Sequence, residues 1–244
     1  MLSFKEFLVE AKKESASQAA ERIQISALRA QHAILKKNHP SGVPVDIGNG
    51  EIHHVTSIQK VPGNPKSDVR FHTSNPKRKL EISLKNKADQ TEYRQLGGVS
   101  RAKSMKESPL IKKFAKHLSK ETYDETSPRH GYSLDRSNPE HNRLFHQAMF
   151  GHDYGTSGRG IHNVDAIHMG NVRFEKHPKI KGAYQLTSDK SFINGDLPNT
   201  VHGELVRENS KKQNDLGISN SRVYISIKGH NKTEDITNKV NAIK

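Results

Sequence analysis

Between Leu80 and Lys85 the side chains alternate strictly, with apolar Leu80, Ile82 and Leu84 interleaved with polar Glu81, Ser83 and Lys85. Only a β-strand sorts that order onto two clean faces, because successive side chains of a strand point to opposite sides of the pleat. The apolar face demands a core and the polar face is left for chemistry. Upstream, Gly63-Asn64-Pro65 reads as a turn, Pro65 to Phe71 as a strand, and Thr73-Ser74-Asn75-Pro76 as the return, so the two strands should form a hairpin. Downstream, Asn86 to Leu96 has a helical pattern with Ala88, Tyr93 and Leu96 as packing positions, ended by Gly97-Gly98.

In such a hairpin Asp68 lies beside the polar face of the second strand. The oxygens of Asp68 and Glu81 suit a hard divalent ion, Mg²⁺ or Mn²⁺. An ammonium at Lys85 would orient water or stabilise the charge that develops as a phosphodiester is cleaved. The plain alternative is an amphipathic hairpin whose Glu81 and Lys85 are simply solvated.

The array resembles the PD-(D/E)xK nuclease superfamily, the fold of many restriction enzymes and phage and repair exonucleases. The resemblance matches Asp68 to the first motif acid and Lys85 to the motif lysine, and implies an αβββαβ core. It gives Gln90, on the following helix, an organising role in the site. The acid expected two residues before the lysine is Ser83 here. Either Glu81, one pleat earlier, supplies the second carboxylate, with Ser83 contributing indirectly, or an acid from another element does. The resemblance spans about thirty residues of this superfamily's pattern of strands and helix.

Lys and Arg number 40 against 26 Asp and Glu, a formal net charge of +14. That excess suits a polyanionic partner such as DNA without naming a reaction. Between Arg101 and Lys120 there are seven Lys or Arg and one acid. Ser108-Pro109 is a good helix start. Leu110, Ile111, Phe114 and Leu118 form an apolar stripe that leaves Lys112, Lys113 and Lys116 to face a DNA backbone or solvent. There is no cysteine, hence no disulfide framework and no thiolate zinc site.

At the amino terminus, Phe4, Phe7 and Leu8 have amphipathic helical spacing. The stretch is too charged for a secretory signal, and nothing in the sequence approaches a membrane span. It resembles the capsid-targeting propeptide of internal head proteins in T-even-like tailed phages. The resemblance implies cleavage by a prohead protease after Leu8-Val9-Glu10, with Ala11 as the new first residue. Together the two resemblances imply a nuclease housed in the phage head and ejected with the genome into the host cytoplasm.

Elsewhere, Ser15 to Lys37 reads as a helix whose packing stripe is Ala20, Ile23, Ala27, Ala30 and Ile34, with Glu21 a surface acid or a remote site acid. Strands are expected at Val43 to Ile47 and Glu51 to Val61. From Thr122 to Gly160 the composition turns to Ser, Pro, Asn, Gly and His around one helix, Pro139 to Phe150. There His130, Asp135, Asn138, His141 and His146 invite an HNH or ββα-metal reading, although residues five apart on a helix diverge by about 140°. β-rich segments follow at Ile161 to Phe174, Ala183 to Thr187, Val201 to Val206 and Arg222 to Ile227. Asp165 stands either inside the first of these or at its solvated end.

These observations add up to an α/β protein with a restriction-endonuclease-like αβββαβ core and a β-rich C-terminal extension. The expected divisions are a propeptide (1–10), a nuclease core (11–121), a loop-rich insertion (122–160) and a continuation of the sheet or a small lobe (161–244). The function expected is Mg²⁺-dependent deoxyribonuclease, endonuclease before exonuclease. The alternative is a non-enzymatic basic internal head protein that binds DNA or inhibits a host defence enzyme.

Overall fold

The computed structural model describes residues 16–62, 67–87, 99, 103–121, 126–151, 164–210, 214–229 and 232–243. Gln90, the Glu10-Ala11 junction and all but the first two residues of the helix expected over 86–96 lie outside the described residues. The protein is mixed α/β. Its helices are α1 (Ala16–Lys36), α2 (Lys103–Lys106), α3 (Pro109–Leu118), α4 (Pro139–Phe150) and α5 (Thr237–Asn241). Its strands are β1 (Val43–Asp46), β2 (His53–Lys60), β3 (Val69–Thr73), β4 (Lys79–Lys85), β5 (Arg129–Leu134) and β6 (Ala166–Met169). They continue with β7 (Arg173–Lys176), β8 (Tyr184–Thr187), β9 (Lys190–Ile193), β10 (Gly203–Asn209), β11 (Ser221–Ile227) and β12 (Thr233–Asp235). Among the described residues no helix is long and apolar enough to cross a membrane.

The chain divides into two compact units interleaved in sequence. The first takes residues 1–62, 68–88 and 168–191; the second takes 63–67, 89–167 and 192–244. The first is built on a sheet ordered β7-β8-β1-β2-β3-β4-β6-β9, of whose last two strands residues 168–169 and 190–191 belong to this unit. β1 to β4 form an antiparallel meander, and β8 runs parallel to β1. The expected hairpin is present as β3–β4, with Val69 opposite Ile82 and Arg70 opposite Glu81. Leu80, Ile82 and Leu84 are buried, as their alternation requires. The other face is not solvated: Glu81 is 6% exposed and Ser83 is fully buried.

α1 packs on the face of this sheet that carries Val69 and Phe71. Lys60, which pairs with Val69, reaches from that face to Glu21 of α1 at 3.1 Å. Glu21 is thereby remote from the face of Asp68, to which it was a candidate contributor. The packing stripe is also corrected. Ile25, Leu28 and His32 are buried against the sheet, whereas Ile23, Ala27, Ala30 and Ile34 face outwards. Polar anchoring accounts for the choice. The β2–β3 register shifts between Val55 and Ser57. His32 Nε2 lies 3.0 Å from the Val55 carbonyl, Lys36 Nζ donates to Thr56 O and Arg29 Nε donates to Ile58 O. An apolar stripe cannot satisfy those acceptors, and an unsatisfied buried carbonyl costs about 1–3 kcal/mol.

The second unit contains a four-stranded sheet ordered β11-β10-β5-β12, antiparallel except for the β5–β12 pair. Residues 129–134, which composition assigns to loop, are therefore a central strand, with His130, Tyr132 and Leu134 buried on one face. Gly131 fits because a Cβ there would sit 2.7 Å from Thr233 Oγ1 and 2.9 Å from Glu204 Oε2. α3 forms as its sequence dictates. Ser108 Oγ accepts from Ile111 N at the N-cap, Pro109 opens the helix, and Leu110, Ile111, Phe114 and Leu118 are buried. Asp165 precedes β6 and is partly exposed, so it takes the solvated end. The C-terminal β-segments divide: β7 and β8 join the first sheet, while β10 and β11 build the second.

Candidate active site

Asp68 stands one residue before β3, its backbone still held on both sides: its N–H donates to Ile82 O and its carbonyl accepts from Val61 N. This fixes the carboxylate beside the end of β4. Oδ2 accepts from Ser83 Oγ at 2.9 Å and from the Leu84 backbone N–H at 2.6 Å. Lys85 Nζ is 4.0 Å from the same oxygen. The side chains of Asp68 and Lys85 are 15% and 17% exposed, so both reach solvent. Oδ1 accepts no hydrogen bond from the described residues. The result is a carboxylate oriented through one oxygen, open at the other, with an ammonium alongside.

Glu81 shares this face but is not an open carboxylate. It stands directly opposite Arg70, and Arg70 Nε donates to Glu81 Oε1. The expectation that Asp68, Glu81 and Lys85 converge is met by Asp68 and Lys85, while Glu81 is engaged by a guanidinium. The pleat explains this, since Arg70 follows Asp68 by two residues and must point the same way. Arg70 is the functional candidate missed in the sequence, and that two-residue spacing was the signal. Bonded through Nε, Arg70 keeps both Nη groups without a hydrogen-bond partner among the described residues, and its side chain is 21% exposed. A guanidinium fixed at its stem and open at its fork is suited to bidentate contact with phosphate.

Burial holds the His72 imidazole below its usual range, the charges of Lys79 and Arg70 push it further down, and Glu81 opposes them. Among the described residues no group of three or more His, Asp or Glu side chains is placed to hold a metal ion. The donor set fits the looser binding typical of Mg²⁺, in which one or two carboxylates act together with water and substrate phosphate. Asp68 Oδ1 is the available oxygen.

The other candidates serve local structure. Asn138 caps α4 by accepting from Glu140 N and His141 N. His141 Nδ1 accepts from Asp135 N, and the Asp135 carboxylate accepts from Ser137. His146 packs against Phe150. His130 lies between Glu121, at 3.1 Å, and Glu234, at 3.6 Å. Among the described residues no group of three or more of these side chains is placed to hold a metal ion. Lys112, Lys113 and Lys116 are exposed on α3, which belongs to the second unit.

No family model matches the chain, and no match was found among curated proteins or among solved structures.

Proposed function

We propose that this protein is a divalent-metal-dependent DNA phosphodiester hydrolase whose working groups are Asp68, Lys85 and Arg70. The observation that carries the reading is the oriented Asp68 carboxylate, pinned through Oδ2 and open at Oδ1, with Lys85 Nζ 4.0 Å away. The adjacency of acid and lysine across neighbouring strands is what the PD-(D/E)xK resemblance implies. The αβββαβ core and the role of Gln90 belong to the same proposal. Asp68 Oδ1 would hold the ion, and Mg²⁺ or Mn²⁺ bound there would supply Lewis-acid polarisation of the phosphate and lower the pKa of a bound water. Lys85, its Nζ 4.0 Å from Asp68 Oδ2, faces the negative charge that grows on the phosphoryl oxygens. Arg70 clamps a phosphate through its Nη groups, with Glu81 as the residue that positions it. Lys112, Lys113 and Lys116 add sequence-independent attraction for the duplex backbone.

Glu81 also motivates a second reading. Its pairing with Arg70 leaves Asp68 Oδ1 as the open carboxylate oxygen on this face among the described residues, which suits a basic DNA-binding internal head protein without catalysis. Incubating duplex DNA with the protein, with and without Mg²⁺, separates the two. The hydrolase reading expects metal-dependent cleavage that is lost in Asp68→Ala and Lys85→Ala, with circular dichroism unchanged. Binding without cleavage in every metal tested supports the second reading and sinks the first. Carriage in a phage head is proposed from the Leu8-Val9-Glu10 resemblance alone. Absence of the protein from purified virions would refute it, and virion protein with an intact Met1 terminus, instead of one at Ala11, would refute the cleavage.

A further inference from the structure

We propose that one strand of nucleic acid lies along the β3–β4 hairpin, with three successive phosphates set against Lys85, Arg70 and Lys79; this rests on reading the site around Asp68 as one that takes nucleic acid. The register places the cations. Residues opposite each other on an antiparallel pair share a face of the sheet, and Arg70 stands opposite Glu81 while His72 stands opposite Lys79. Arg70, His72 and Lys79 therefore continue, towards the turn, the face that carries Asp68 and Lys85.

The spacing identifies the ligand. Lys85 Nζ reaches to 4.0 Å from Asp68 Oδ2, Arg70 is held at its own level by Glu81, and the Lys79 charge acts on the His72 ring across the strand pair. The three cationic groups thus stand at successive two-residue steps, each about 6.8 Å along the strands. Neighbouring phosphates on one nucleic-acid strand are separated by a similar distance through space, so a strand running with the hairpin presents one phosphate to each step. A lone phosphate group or a lipid headgroup has no such repeat.

The outer half of the hairpin is also built for a polyanion. From Val69 to Leu80 the chain carries Arg70, Lys77, Arg78 and Lys79 and no acid. Elsewhere on this unit exposed cations find carboxylates, Lys60 with Glu21 and Arg173 with Glu175, whereas among the described residues no carboxylate pairs with Lys77 or Lys79. The turn is tied internally: Thr73 Oγ1 bonds to Asn75 O and Arg78 O, Lys77 N donates to Asn75 Oδ1, and Arg78 N donates to Asn75 O. Lys77 and Lys79 are exposed at this end, so a phosphate arriving there orders side chains and not a loop.

His72 reports on occupancy. Its Nε2 lies 2.9 Å from Gln59 Oε1, and its pKa is held down by burial first and then by the charges of Lys79 and Arg70, against Glu81. A phosphate beside Lys79 offsets those cations. The test uses the full chain without metal, so that binding is read apart from cleavage, and a fluorescein-labelled single-stranded oligothymidylate as the probe. Saturating probe should raise the His72 pKa followed by NMR. Lys79→Met should lower the log–log salt slope of binding by about 0.7, the share of one phosphate on a single strand, with an unchanged circular dichroism spectrum, and Lys79→Arg should keep the slope. An unchanged slope in Lys79→Met, or a His72 titration indifferent to the probe, would overturn the proposal, and metal-dependent cleavage seen alongside either result would leave the hydrolase reading standing. The expected slope and His72 response without cleavage in any metal would support the strand path and remove the hydrolase.

Discussion

Replacing Arg70 by Met isolates the energetics of the candidate site. Arg70 and Glu81 face each other across β3–β4, with side-chain exposures of 21% and 7%. Met preserves most of the apolar stem of Arg70, so the loss falls on the ion pair and leaves Glu81 as a buried charge without its guanidinium. Breaking a buried pair from one side costs about 3–5 kcal/mol, and the residual exposure of this pair places the expected value at the lower end, about 3 kcal/mol. Glu81→Gln should cost less, about 1 kcal/mol, because the amide still accepts from a partly solvated guanidinium. Arg70→Met/Glu81→Gln should cost only about 2 kcal/mol, since a neutral amide beside Met leaves no buried charge without its counter-ion. The double-mutant cycle should therefore show a coupling of about 2 kcal/mol. Urea unfolding followed by far-ultraviolet circular dichroism reads all three, with a melting shift of about 6–12 °C for Arg70→Met in a chain of this size. Additive effects, or a loss under about 0.5 kcal/mol for Arg70→Met, would refute the reading of Glu81 as the partner of Arg70.

Acid should destabilise the first unit through His168. Its ring is buried, with Nε2 3.2 Å from Ile47 O and Nδ1 3.0 Å from Ser188 Oγ, and burial pushes its pKa down to about 4. A depressed imidazole contributes stability that is fully present above the unfolded pKa of about 6.5 and is lost as pH falls towards the folded value, on the order of 3 kcal/mol in total. His168→Gln should flatten stability between those limits, and an unchanged pH profile would count against the assignment. In the second unit, Gly131→Ala drives a Cβ to 2.7 Å from Thr233 Oγ1 and should cost about 1–3 kcal/mol by overpacking. A neutral outcome in thermal unfolding would contradict the close approach. Replacing Lys112, Lys113 and Lys116 with Ala should flatten the salt dependence of DNA binding by about 0.9 in log–log slope for each phosphate that is no longer neutralised. An unchanged slope would remove α3 from the interface.

Elements that carry a single strong period were legible in the order of residues alone. Strand β4 followed from alternation, and α3 from its cap and apolar stripe, because those signals act between neighbours in the chain. The Asp68–Lys85 adjacency was legible for the same reason: a short hairpin and a two-residue pleat fix it. Arg70 was equally open to the pleat rule but carries no motif signal of its own. Long-range packing chose which apolar face of α1 meets the sheet, since Ile25 and Leu28 compete with Ile23 and Ile34 and the carbonyls of a register shift in β2 settle the choice. It also placed β5 at the centre of a sheet, where neighbours from residues 203–209 and 233–235 stabilise a segment rich in turn-forming residues. The interleaving of the two units has the same origin. Hydrogen bonds and packing between segments far apart in the chain leave no periodic trace in either segment, and for that reason these features had to be seen folded.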